Sequence, residues 1–142
     1  MILYRTHVKL MMYRFHKGYF GLTSGLFLIE VLIALFVRDN FIRPYFGDFL
    51  VVILMYCFLR TFANLDVKLT VVAVLLFSYL IEILQYLNFV EIIGLGNSEL
   101  ARTLIGTSFE WIDIVAYSAG SLAILWFERM KQVKWTFKDQ RV

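Results

Sequence analysis

Four apolar segments, each about as long as a membrane-spanning helix, dominate the sequence. A helix rises 1.5 Å per residue, so roughly 20 mostly apolar residues cross the hydrocarbon core of a bilayer. A soluble domain of 142 residues could not bury a composition that is 61% hydrophobic and 18% aromatic. We therefore predict an all-α integral membrane bundle of four transmembrane helices, at Phe20–Val37, Tyr45–Phe62, Leu69–Phe89 and Glu110–Phe127.

The segments outside the apolar runs are short, which leaves room for one domain only. We expect a basic N-terminal arm (residues 1–18), a single transmembrane domain (residues 19–128) and a basic C-terminal tail (residues 129–142). The stretch Val90–Phe109 is semi-polar and has a helix-start signal at Asn97 or Ser98. This pattern predicts an ordered loop with a short helix in the membrane interface.

Lysines and arginines are distributed unevenly between the two sides of the predicted bundle. Eleven fall in the two tails or around the link between the second and third segments (Arg60 and Lys68), and only three fall on the other side. Positive charge stays in the cytoplasm, so both termini are predicted to be cytoplasmic. The same bias predicts that the link between the first and second segments, and the loop between the third and fourth, lie outside.

The apolar segments contain acidic residues, which are energetically costly inside a membrane. Glu82 lies inside the third segment, where a carboxylate costs roughly 2.5 to 3.5 kcal/mol near the helix centre. Helical spacing places Glu82 and Gln85 on one face, and Asp113, Tyr117 and Gly120 about one face of the fourth segment. Because glycine lets helices approach closely, Gly120 is expected at a helix contact.

Two further acids and two arginines are candidates for the same site. Asp48 opens the second segment at the depth of Glu82 and Asp113, and Arg102 and Arg43 are the expected positive partners. Glu30 falls nearer the midplane of the membrane. It is either the floor of the same polar site or a group that pairs two helices. The ligand-binding prediction covers eight residues: Glu82, Gln85, Arg102, Asp113, Asp48, Arg43, Tyr117 and Glu30.

Other kinds of site find little support in the sequence. The net charge of +3 is too small and scattered for nucleic-acid binding. His7 and His16 lack acidic or cysteine partners nearby in the sequence, so we expect no metal, and no cofactor motif is present. Cys57 is interpreted as core packing. Buried polar groups can also simply join helices, and that alternative stays open.

Two stretches carry a family resemblance: FIRPYFGDFLVVILMY, and IEILQYLNFVEIIGLGNSELARTLIGTSFEWIDIVAYSAG. They resemble the small bacterial membrane proteins called domain of unknown function 2809, which are related to the VanZ-like family. The resemblance implies a cytoplasmic-membrane protein of unknown activity and singles out Glu82, Gln85, Arg102, Asp113 and Gly120. It begins after Met12, so we expect Met1–Leu10 to be dispensable.

These observations leave three functions open. The first is binding, or binding and processing, of a membrane lipid or lipid-linked envelope precursor headgroup at the outer leaflet of a bacterial inner membrane. The second is a small proton- or cation-coupled transporter, in a homo-oligomer because four helices enclose little volume. The third is a scaffold without enzymatic activity. Whether the chain is an enzyme is left undecided by the sequence.

Overall fold

The described part of the chain consists of helices joined by short links. The computed structural model describes residues 15–105 and 108–139, and no strand occurs among them. Met1–Leu10, predicted to be dispensable, lies outside these residues. The six helices are α1 (Lys17–Phe36), α2 (Ile42–Phe62), α3 (Val67–Tyr86), α4 (Phe89–Ile92), α5 (Glu99–Ile105) and α6 (Trp111–Asp139).

Three of the helices, and not the four predicted, are long and apolar enough to cross a membrane. They are α1, α2 and α3. The fourth predicted segment does form a helix, α6, but polar residues such as Asp113, Ser118 and Ser121 lower its apolar character. In addition, α6 does not end at Phe127, because it continues through the charged sequence that follows as far as Asp139. The chain is therefore a helical protein with three candidate membrane spans.

Helix α2 is the centre of the arrangement. It packs against α1, α3 and α6, and α3 also packs against α6. Buried apolar side chains from α2, α3 and α6 form the core, whereas α1 has no buried residue and lies at the periphery. Cys57 is 4% exposed within this core, which confirms its predicted packing role.

Successive long helices run in opposite directions. Tyr19 near the start of α1 and Tyr56 near the end of α2 both bond to Glu128, late in α6. At the other end of the bundle, Tyr45 near the start of α2 bonds to Glu110, just before α6. The acids predicted from sequence lie toward this second end, where α2 and α6 begin and α3 ends.

Gly120 lets α6 approach α2 closely, as expected. A Cβ atom at position 120 would lie 2.8 Å from the carbonyl oxygen of Phe49, on the α2 backbone. No side chain fits that space without moving one helix. The contact brings the first turns of α6 against the first half of α2, where Asp113 and Asp48 are found.

The connection from α3 to α6 is ordered over the described residues. Helix α3 ends at Tyr86, three residues before the predicted end, because Asn88 adopts a left-handed conformation (φ 50°). The short helix α4 follows, and then α5 begins after Ser98. The Ser98 side-chain oxygen accepts a hydrogen bond from the Ala101 N–H (3.3 Å), as a helix N-cap does. A short helix with its start signal at Asn97 or Ser98 was predicted, and α5 follows Ser98.

Candidate functional site

Five carboxyl groups and two tyrosines lie together where α2 and α6 begin. They come from all four long helices and from the residue before α6. We call this set the acidic cluster: Glu30, Tyr45, Asp48, Glu82, Glu110, Asp113 and Tyr117.

Glu82 is the most deeply buried member of the acidic cluster, with 1% of its surface exposed. Its Oε1 atom accepts a hydrogen bond from the Tyr117 hydroxyl at 3.0 Å. The backbone N–H of Glu110 approaches the carboxyl group, yet Oε2 has no hydrogen-bond partner among the described residues. Gln85, one turn further along α3, is half-buried. Glu82 and Tyr117 therefore join α3 to α6 directly.

Asp48 and Asp113 face each other across the contact between α2 and α6. Their carboxyl groups lie within hydrogen-bonding distance. Ionised carboxyl oxygens are acceptors only, so this contact needs a proton or a cation between the two groups. The Asp113 Oδ1 atom is buried and, with both groups ionised, has no hydrogen-bond partner among the described residues. This aspartate pair is thus incomplete as a hydrogen-bonded unit.

The remaining members extend the acidic cluster toward α1 and toward the residue before α6. The Glu30 Oε2 atom lies 3.6 Å from where a Cβ would stand at Gly47, one residue before Asp48. Its other oxygen, Oε1, is buried and unpaired within the described chain. Tyr45 donates to Glu110 Oε2 at 3.2 Å. Glu30 therefore forms the α1 edge of the cluster.

The two arginines predicted as positive partners do not enter the acidic cluster. Arg102 is exposed and donates to the carbonyl oxygen of Gly96 at 3.3 Å, within its own loop. It forms no ion pair with a described carboxylate. Arg43 is also exposed, in the first turn of α2. The structure thus brings the acids together and leaves both arginines outside.

Chemically, the acidic cluster is a set of acceptors with two phenolic hydroxyls. It suits donors such as ammonium or hydroxyl groups, since carboxylates accept hydrogen bonds and attract positive charge. Within residues 15–105 and 108–139, no group of three acidic, histidine or cysteine side chains is arranged to hold a metal ion.

A second set of polar residues lies at the opposite end of the bundle. This opposite polar cluster, formed by Tyr19, Tyr56, Glu128 and Lys131, was missed by the sequence analysis. Glu128 is 8% exposed and accepts hydrogen bonds from Tyr19 (2.5 Å) and Tyr56 (3.1 Å). Lys131 lies 3.6 Å from the same carboxylate. In the sequence, Glu128 stands at the junction with the basic tail. Its helical spacing from Tyr117, Ser121 and Ile124 places it on the buried face and could have revealed it.

Comparison with known protein families gives a match. A family model described as "Protein of unknown function (DUF2809)" matches residues 37–121. The match covers more than half of the chain and includes every member of the acidic cluster except Glu30. Searches of curated proteins and of solved structures found no match.

Proposed function

We propose a function for this chain, which belongs to the DUF2809 family of proteins of unknown function: it binds the polar headgroup of a membrane lipid or of a lipid-linked envelope precursor at the acidic cluster. The apolar helices α1, α2 and α3 hold the protein in the membrane. The ligand's apolar part stays in the bilayer, and its headgroup enters between α2, α3 and α6.

The observation that carries the proposal is the unpaired oxygen of Glu82. An unsatisfied buried polar group costs about 1 to 3 kcal/mol, and more when it is charged. Glu82 Oε2 and Asp113 Oδ1 are both in this situation, although each carboxyl group sits on a well-packed helix. A bound headgroup that donates to these atoms would remove the cost. Groups that served only to join helices would be expected to satisfy each other.

The location of the ligand follows from the charge distribution and the family resemblance. The lysine and arginine bias predicts that the acidic cluster lies toward the outer leaflet. The VanZ-like pattern at Glu82, Gln85, Asp113 and Gly120 supports a bacterial cytoplasmic membrane and an envelope ligand. Three of these residues contribute to, or pack beside, the acidic cluster. The proposal is for binding and assigns no reaction.

The decisive experiment compares the lipids that remain bound to two glutamate variants. Native mass spectrometry of gently extracted protein should show a co-purifying lipid on the unmodified chain and its loss from Glu82→Gln. The matched control is Glu128→Gln, which changes another buried, tyrosine-bonded glutamate at the other end. An identical lipid complement on all three proteins would contradict the proposal.

A further inference from the structure

We infer that the acidic cluster binds an organic ammonium group, so that the ligand's headgroup carries a primary amine and is recognised through it. This inference rests on the proposed function, because it names the chemical class recognised at the same site. In the sequence analysis the expected positive partners of these acids were Arg102 and Arg43, whereas here the positive group belongs to the ligand.

The first support is the sign of the charge. Asp48 is acted on electrostatically by Asp113, Glu82 and Glu30, which belong to three different helices. No lysine or arginine forms an ion pair with a member of the acidic cluster in the part of the chain that the structure describes. Several carboxylates in a poorly hydrated space repel one another unless protons or a cation lie between them. An anionic group would add to this repulsion.

The second support is independent of the charge and comes from the unpaired atoms. Only 1% of the Glu82 surface is exposed, and its Oε2 atom is buried without a described donor. Asp113 Oδ1 and Glu30 Oε1 are in the same state on α6 and α1. A primary ammonium group has three N–H donors and no acceptor. Its donors match in number the three unpaired oxygens.

The third support separates an ammonium group from a metal ion. Metal sites need several ligand atoms at about 2.0 to 2.6 Å from one point. The described acidic side chains form no such group of three. An ammonium nitrogen accepts longer contacts, of about 2.7 to 2.9 Å to each carboxylate oxygen. The spread of acids over four helices therefore fits a larger, hydrogen-bonding cation.

The test uses the full chain in nanodiscs made of phosphatidylglycerol with one added lipid as the probe. Phosphatidylethanolamine offers a primary ammonium, phosphatidylcholine a cation without N–H donors, and further phosphatidylglycerol only hydroxyls. We expect phosphatidylethanolamine to bind at least about tenfold more tightly than phosphatidylcholine. We expect that preference to disappear in Glu82→Gln and to persist in Glu128→Gln. Asp113→Asn replaces Glu82→Gln if the latter does not fold.

The outcomes separate the inference from the proposed function. If the protein retains lipid in a Glu82-dependent way but prefers phosphatidylglycerol, headgroup binding stands and the ammonium inference is overturned. If neither lipid nor soluble ethanolamine binds in a Glu82-dependent way, both are overturned. Soluble ethanolamine is a second probe: if it binds in a Glu82-dependent way while phosphatidylethanolamine does not, the ammonium recognition stands and the lipid source is wrong.

Discussion

Glu82 and Glu128 are two buried glutamates that differ in how many hydrogen bonds their carboxyl groups accept. Glu128 accepts hydrogen bonds from two tyrosines and lies beside a lysine. Glu82 accepts one from Tyr117 and keeps one oxygen unpaired among the described residues. Well-bonded buried polar groups rigidify a structure, whereas a buried polar atom without a partner needs a separate explanation, such as a ligand. The two residues are therefore expected to respond differently to substitution.

Replacing Tyr117 with phenylalanine should reduce stability more than replacing Tyr79. Both hydroxyls form a hydrogen bond between α3 and α6, but Tyr117 bonds to the buried Glu82, whereas Tyr79 bonds to Ser118, which also has a backbone partner. We expect a loss of about 1 to 3 kcal/mol for Tyr117→Phe. For Tyr79→Phe we expect about 0.6 kcal/mol. Unfolding of the detergent-solubilised protein measures both changes in the free energy of unfolding. Equal losses of stability would mean that removing the tyrosine donor from Glu82 costs no more than removing the one from Ser118.

The Tyr56–Glu128 contact should show strong non-additivity. Glu128→Leu leaves the buried Tyr56 hydroxyl without this acceptor, at a cost of about 1 to 3 kcal/mol. Tyr56→Phe alone removes one of the two tyrosine donors to Glu128. The double variant removes both partners, so we expect it to be less destabilised than the sum of the single variants. A double-mutant cycle on the free energy of unfolding measures this, and simple additivity would contradict a direct interaction.

The helices differ in how firmly they are held. Helix α2 packs against three others, and the α2–α6 contact depends on the absence of a side chain at Gly120. Helix α1 is peripheral, without a buried residue, and the glycines on its surface have open space around them. Small residues in membrane helices allow close contacts only where a second helix is present. The same residue type therefore has different importance in α6 and in α1.

Alanine at Gly120 should destabilise the bundle, whereas alanine at Gly25 should not. A Cβ at position 120 meets the Phe49 carbonyl oxygen at 2.8 Å, and a Cβ at position 25 meets nothing within 4 Å. Inserting an atom into a packed contact costs about 1 to 3 kcal/mol. We expect Gly120→Ala also to weaken headgroup binding, because it separates Asp113 from Asp48. Thermal unfolding with lipid retention tests this; if Gly25→Ala is the more harmful change, the packing of α1 is different from that described.

At the scale of the whole molecule, the described residues form two polar clusters at opposite ends of an apolar bundle. The acidic cluster lies at one end and the opposite polar cluster at the other, with exposed apolar side chains along α1, α2 and α3 between them. This distribution fits a bilayer, in which exposed apolar residues face lipid. Which end faces the cytoplasm is a prediction from charge alone.

Topology reporters test that orientation. The excess of lysine and arginine in the tails predicts that a reporter after Val142 reads cytoplasmic, and that one inserted beside Asn97 reads external. A reporter at Leu65, between α2 and α3, provides the control, since this position should also read cytoplasmic. An external reading at Val142 would show that α6 does not return the chain to the cytoplasmic side.

Local rules of the sequence are enough to predict the all-helical class, three of the four predicted spans and most members of the acidic cluster. Apolar length sets the span, and the 3.6-residue period sets the face, so spacing alone assigns Glu82 and Tyr117 to interior faces. The cap at Ser98 and the close approach at Gly120 are local signals of the same kind.

Which of these polar groups become hydrogen-bond partners depends on the tertiary arrangement. Arg102 follows its own loop to Gly96 instead of covering the acids, because a flexible side chain takes the nearest acceptor that its backbone allows. Glu128 is buried because two tyrosines from other helices close over it. The pairing of Asp48 with Asp113 depends on the contact between α2 and α6. Such pairings require the relative placement of whole helices, which the spacing of residues within one helix does not specify.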